Sequence, residues 1–489
     1  MVRDSHPSYD RSNRGWLVAL GIALLLPSCS SLLGYDDVEF HPDAGDAQDG
    51  SAGVAGDSGA VGGNGGTGGA SGSGGAIDGG SGGSTSPGGT GGSATGGAGG
   101  TGGSAAGGAG GTAGSGGGAA GTGGGSGCTA DTGSPVSCAT PLADRVRTAT
   151  VTASGAGGTV FLAAQPSGCA KAAWASGGSV HVTPLDGGDQ RFASDATTAG
   201  SEIRGLVAHD DGSAVLVVRG DEMVLVRLAA NGAAQFENII VGNNSHQTEG
   251  DRWIDGWPHE GRLAWSGSGY AAYFGQTGNW GSQGNHQGDH LSMFTASGGA
   301  ASGGWDWGCS HSLDVRITHN GNRFDPVCLS DCYPGKGIYF NHNTLVRDEP
   351  SGNCAGGSSA SLGGLAPVAD GFWLTFASDE GRASHDIGLV HIDNGGSVGT
   401  PVWLTNTDSV QETNPHLARY GAGMLAAYSA GGQATFVVLD SSGAVTDGPV
   451  TLGVQLPWGS DMTTFPNGDV GWAVASGGGL SIIRVARCQ

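Results

Sequence analysis

The sequence predicts an all-β fold in which one small unit repeats, preceded by a long segment that cannot build a core. Three observations carry this. Short apolar strands recur through residues 128–489 at a spacing of roughly 43 to 55 residues. Each follows a turn rich in Gly, Asn or Asp, and most lead through a second strand into another turn. No segment beyond the N-terminal apolar run has a helical period, which disfavours a parallel α/β fold.

The N-terminus reads as an export signal over residues 1–28. Arg3, Arg11 and Arg14 precede the apolar run "WLVALGIALLL" at 16–26, and "PSCS" follows, with a small residue just before Cys29. The run is too short for a stable transmembrane anchor. It resembles the signal peptide of a bacterial lipoprotein, with Leu26 and Ser28 matching the lipobox and Pro27 departing from it. The alternative is an ordinary secretory signal with a chance cysteine. The resemblance implies cleavage before Cys29, lipidation of that cysteine and anchoring in the cell envelope, and Ser30 then suggests the outer membrane. Several acyl chains on one residue would hold the protein lastingly to a bacterial membrane.

Residues 29–127 read as a disordered tether. From about residue 43 they are nearly all Gly, Ala, Ser and Thr, without one aromatic side chain, so too little apolar surface is present to offset chain entropy. Roughly 85 such residues span about 50 Å as a random coil. The formal charge of −23, with lysine only at Lys171 and Lys336, argues against a nucleic-acid partner, which needs a basic face.

Residues 128–489 read as one domain. Its recurrent strands are "CAKAAWAS" around Trp174, "AVLVVRG" around Val217, "YAAYFGQ" around Tyr273, "DPVCLSD" around Cys328, "FWLTFAS" around Phe376, "MLAAYSA" around Tyr428 and "VGWAVAS" around Val474. The spacing is that of a four-stranded blade, and the whole resembles a β-propeller of seven blades, with six or eight as the neighbouring counts. Small residues crowd these strands, which suits strands lining a narrow channel. The last repeat lacks an outer strand, and "RVRTATVTA" at 145–153 can supply it and close the ring. The resemblance is architectural, since no Trp-Asp repeat or Asp-box accompanies it.

Eight cysteines follow Cys29, which in an exported chain reads as up to four disulfides. Period-two alternation runs through "GGWDWGCSHSLDVRI" at 303–317, and Asn320-Gly321 signals a two-residue hairpin turn. In that register Ile317 faces Phe324, Leu313 faces Cys328 and Cys309 faces Cys332. It proposes a Cys309–Cys332 bridge, leaves Cys328 and Cys354 as partners, and lets Cys488 tie the closing strand to Cys138 or Cys169.

The interval 246–342 holds seven of the fourteen histidines and half the tryptophans, on what read as enlarged loops at one end of the ring. The candidate ligand-binding residues are Trp253, Trp257, His259, Trp280, His286, Asp289, His290, Trp305, Asp306, Trp307 and His311. Their aromatic faces and hydrogen-bonding groups suit a sugar; the bland alternative is that they pack between blades. A divalent metal on His246, His286, Asp289 and His290 requires a folded loop, because a strand would hold His286 and His290 about 13 Å apart. No cofactor is required. The reading is a surface binding module for glycan, peptide or an envelope protein, with a secreted hydrolase or lyase as the alternative; catalytic residues and oligomeric state stay unassigned.

Overall fold

The computed structural model describes residues 128–131, 135–242, 244–255, 260–311, 314–349 and 359–489. The expected signal peptide, Cys29, the tether, Trp257, His259 and Cys354 lie outside these residues. The described chain is a seven-bladed β-propeller of seven antiparallel sheets. Blade 1 runs Gly157–Ala164, Ala170–Ser176, Ser179–Leu185 and Ala196–Ala199, and blade 2 runs Glu202–His209, Gly212–Arg219, Glu222–Ala229 and Ala234–Val241. Blade 3 comprises Gly261–Trp265, Gly269–Asn279, Asn285–Thr295 and Ala300–Trp305, with Arg252–Trp253 added beside the far end of its second strand. Blade 4 is Asp314–His319, Phe324–Ser330, Gly337–Phe340 and Thr344–Asp348; blade 5 is Ser361–Val368, Gly371–Ser378, Asp386–Asp393 and Val402–Trp403. Blade 6 is Glu412–Tyr420, Gly423–Ala430, Gln433–Leu439 and Val445–Leu452.

Blade 7 closes the ring. Thr463–Thr464, Val470–Ser476 and Gly479–Val485 come from the C-terminal end, and the fourth strand is Val146–Thr152. The last pair is in unbroken register from Val146 opposite Val485 to Thr152 opposite Gly479. Beyond it a Cys138–Cys488 disulfide and a parallel bridge between Val136 and Cys488 fasten the two chain ends.

The seven recurrent segments are the second strands of the blades, not the channel-lining ones. Their small residues have another cause. A second strand is packed on both faces by neighbouring blades, so both parities are apolar: Val215 and Val217 meet Ala173 and Val180 of blade 1, while Ala214 and Leu216 meet Ala272 and Phe274 of blade 3. Backbone approach is closest between first strands. A Cβ on Gly205 would lie 2.6 Å from the Leu263 nitrogen, and one on Gly364 would lie 2.2 Å from the Leu417 oxygen.

The hairpin of blade 4 departs from the expected register. Asp314 pairs with Leu329 and His319 with Phe324, which leaves a four-residue loop, 320–323, instead of a two-residue turn. The Asn320 side chain stabilises it by accepting the Asn322 and Arg323 amides at 2.9 and 3.1 Å. The strand begins only at Asp314, so Cys309 lies outside the ladder. Cys309 bonds Cys328, not Cys332, and the bridge sits in the apolar seam between blades 3 and 4 with Tyr273 and Val315. With Cys328 taken by Cys309, the expected Cys328–Cys354 bridge falls with the expected register; Cys332 is oxidised too. Cys128–Cys169 is the third defined disulfide. Such bridges mark an oxidising environment. No helix among the described residues is long and apolar enough to cross a membrane.

If the Cys138–Cys488 bridge holds the ring shut, Cys138→Ser should lower stability by about 3–5 kcal/mol, because its loop spans nearly the whole domain. Urea midpoints of the variant and the parent, both oxidised, measure this.

Candidate functional site

Strand alternation gives the ring two faces. The first strand of each blade starts on the face where the second turns into the third, and the fourth leads back to that face to begin the next blade. Here the described ends of the longer connections gather, with 404–411 and 453–462 described throughout.

Blade 3 carries the longest second-to-third-strand hairpin among the described residues. Its second and third strands pair over eleven residues, from Gly269 opposite Thr295 to Asn279 opposite Asn285. Trp307 lies across the hairpin, and two glycines make room for it: a Cβ on Gly288 would meet the indole at 2.4 Å, and one on Gly278 at 3.1 Å. Arg252 fills the corner, 4.6 Å from the Trp280 ring and 5.5 Å from Trp307, and its Nε donates to Asp306 at 3.1 Å. His290 faces Asp306 at 3.4 Å and stacks on Phe274. Burial works against the Asp306 charge, yet His290 and Arg252 hold its carboxyl down at about 2.

The opposite side of the hairpin buries Asp289 completely. The Tyr273 hydroxyl and the Trp305 indole, the latter at 3.2 Å, donate to its carboxylate. Burial prevails over these donors and pushes the carboxyl up to about 7.

The proposed metal ligands are not brought together. His286 and His290 share one extended strand, four residues apart; Asp289 is buried with Tyr273 and Trp305; His246 stacks on buried Trp253 and bonds Asp221 at 2.6 Å. One grouping among the described residues has ligand-type spacing, Asp289 with Cys309 and Cys328. Its sulfurs are bonded to each other, so neither is a thiolate. His311 pairs with Asp331 at 2.9 Å, and its ring lies 6.2 Å from that of His286. Of the sequence candidates, then, Trp280, Asp306 and Trp307 converge on Arg252 and His290 joins them through Asp306, while buried Asp289 pairs separately with Trp305.

Two features escape the sequence. The channel is a cavity of about 430 Å³ with an ionic cluster at its floor. Asp461 accepts Arg262 Nε at 2.7 Å and faces Arg316 Nε at 3.0 Å, and Glu260 sits 3.1 Å from Arg262 and 2.8 Å from Arg316. Burial opposes ionisation of Glu260, but the two guanidiniums hold it at about 2; Asp314, equally enclosed and beside Glu260, is pushed up. These charges serve one another and join blades 3, 4 and 7 across the axis.

The second feature is Trp458, 75% exposed. Its loop, 453–462, is pinned at three points: the Trp472 indole donates to Gln455 O at 2.7 Å, Asn414 Nδ2 to Pro457 O at 3.1 Å, and Ser460 Oγ to Val160 O at 2.7 Å. Asn414 itself has a left-handed backbone, φ 51°, at a bulge of the first strand of blade 6. The indole borders a cavity of about 440 Å³ between blades 6 and 7, lined also by Asn414, Ser429 and Gln455. The signal available in the sequence was "LPWGS", a tryptophan inside a Pro-Gly turn, outside the histidine-rich interval.

No family model matches the chain, and no curated protein matches it. Solved structures similar to it include the Pan2 WD40 domain of Neurospora crassa, at 10% identity and TM-score 0.37, covering 69% of this chain and 90% of that one. A puromycin hydrolase aligns at 15% identity and TM-score 0.38, over 71% of this chain and 53% of its own, so this chain spans about half its length. The PQQ-bound aldose sugar dehydrogenase of Streptomyces coelicolor aligns at 12% and 0.35, over 69% and 97%. The sheet topology defines a β-propeller, and these likenesses concern the fold alone.

A carboxyl that ionises at about 7 when folded and near 4 when unfolded holds its proton more tightly in the fold. Its contribution to stability is complete below about pH 4, falls as the pH rises and levels out above about 7. Asp289→Asn should remove that fall. The urea midpoint of the parent should therefore fall relative to that of the variant between pH 5 and pH 8; a gap that does not change with pH would contradict the buried carboxyl.

Proposed function

We propose that this protein is a lipid-anchored binding module of the cell surface, and that its propeller takes a glycan on the face carrying Trp458. The observation that carries the reading is an indole exposed to 75% on a loop pinned at three points. Folding gains little from an exposed indole, whereas a ligand gains a flat apolar surface whose ordering entropy has already been spent. The cavity beside it supplies an amide and a hydroxyl from Asn414 and Ser429, and a sugar ring, apolar on one face and polyhydroxylated at its rim, suits that combination. The channel charges, by contrast, are paired with one another. The anchor rests on "PSCS" at 27–30 and the apolar run before it.

Trp458→Ala should weaken binding on a glycan array at least tenfold, as for an interface anchor worth about 2 kcal/mol or more, and leave the urea midpoint unchanged. Unchanged binding would move the site elsewhere. Cys29→Ala should release the protein from carbonate-washed membranes into the soluble fraction; continued sedimentation with membranes would overturn the anchor.

A further inference from the structure

We infer that the propeller is built to carry tension between its N-terminal segment and a ligand on the opposite face, with two disulfides diverting the load around the strand that closes the ring. The inference rests on the reading of the Trp458 face as the ligand side. Cys169 lies in the connection between the first and second strands of blade 1, and Cys488 follows the third strand of blade 7. Both positions belong to the face opposite the long connections. The chain enters there: Cys128 is bonded to Cys169, Thr129 O accepts the Gly187 amide at 2.7 Å, Asp131 accepts Arg147 at 2.7 Å, and Cys138 is bonded to Cys488.

The order of these attachments matters under load. Val146–Thr152 holds the ring shut by antiparallel pairing to Gly479–Val485. Pulled from residue 146, such a pair could be separated one rung at a time. The strand, however, lies between Cys138 and Cys169, downstream of one staple and upstream of the other. Tension arriving at Cys128 passes to blade 1 through Cys169, and through residues 128–138 and Cys488 into blade 7. Blade 7 directly follows the Trp458 loop. A covalent path therefore links the tether to the ligand loop without crossing the closing strand: from Cys128 to Cys138, across to Cys488, and back along blade 7 to residue 458.

Single-molecule stretching of the full chain tests this, with one handle on the N-terminal segment and a non-thiol handle at Gln455. With both bridges closed, the covalent path between Cys128 and residue 455 holds about 43 residues, so the propeller can release at most about 155 Å. In Cys138→Ser the path runs through Cys169 instead, and rips of up to about 1,000 Å should appear, at lower force. Should the variant fail to fold, reductant added to a folded parent molecule held in the trap opens the bridge at exposed Cys138, and whether or not Cys128–Cys169 opens with it, rips should then lengthen beyond about 155 Å. Parent rips beyond about 155 Å, or an opening force indifferent to the Cys138–Cys488 bridge, would overturn the inference. A chain that behaves as expected under load yet binds no glycan would upset only the ligand reading.

Discussion

Everything in this domain depends on closing the ring. Each blade buries both faces against its neighbours, so an open ring would expose two faces of core at once, one on each terminal blade. The pairing of Val146–Thr152 with Gly479–Val485 removes both edges. That pairing is among the most distant in sequence and among the costliest in loop entropy. The Cys138–Cys488 bridge meets the difficulty by restricting the unfolded chain at the same junction.

Closure also organises the polar interior. First strands from every blade converge on the axis, and polar side chains directed there lose water. Arg262, Arg316, Glu260, Asp314 and Asp461 resolve this by pairing. A buried network of this kind adds less to net stability than to specificity, because each charge is costly without its partners. Asp461 meets Arg262 from 199 residues away, so the cluster forms only when the ring is complete.

The rigid ring then frees one face for recognition. Two aromatic arrangements on it have opposite characters. On the blade 3 hairpin, Trp307 is seated on Gly278 and Gly288 and shares Arg252 with Trp280; its surface is used within the fold. Trp458 is fixed through its backbone, while its ring stays in solvent. Density of tryptophan and histidine along the chain pointed to the first arrangement, and the hydrogen bonds around 453–462 single out the second.

The architecture was legible because blade repetition is local: a strand buried on both faces must be apolar in both parities, and each turn needs its own Gly, Asn or Asp, whatever the rest of the chain does. The seven recurrent strands and the closing role of 145–153 follow from that pattern alone, whereas their place as second strands and not channel-lining ones does not. Pairing of cysteines was not legible, since a loop of four residues in place of two moves every partner by two positions while keeping each side chain on its face, so the alternation around Val315 and Ile317 is satisfied in either register. The candidate site was legible only in part, and for the same reason. Residue type shows what a side chain is able to do; whether Trp307 packs or Trp458 stands free is decided by which groups, Gly288 beneath one indole and the distant Asn414 amide holding Pro457 beside the other, the closed ring brings together.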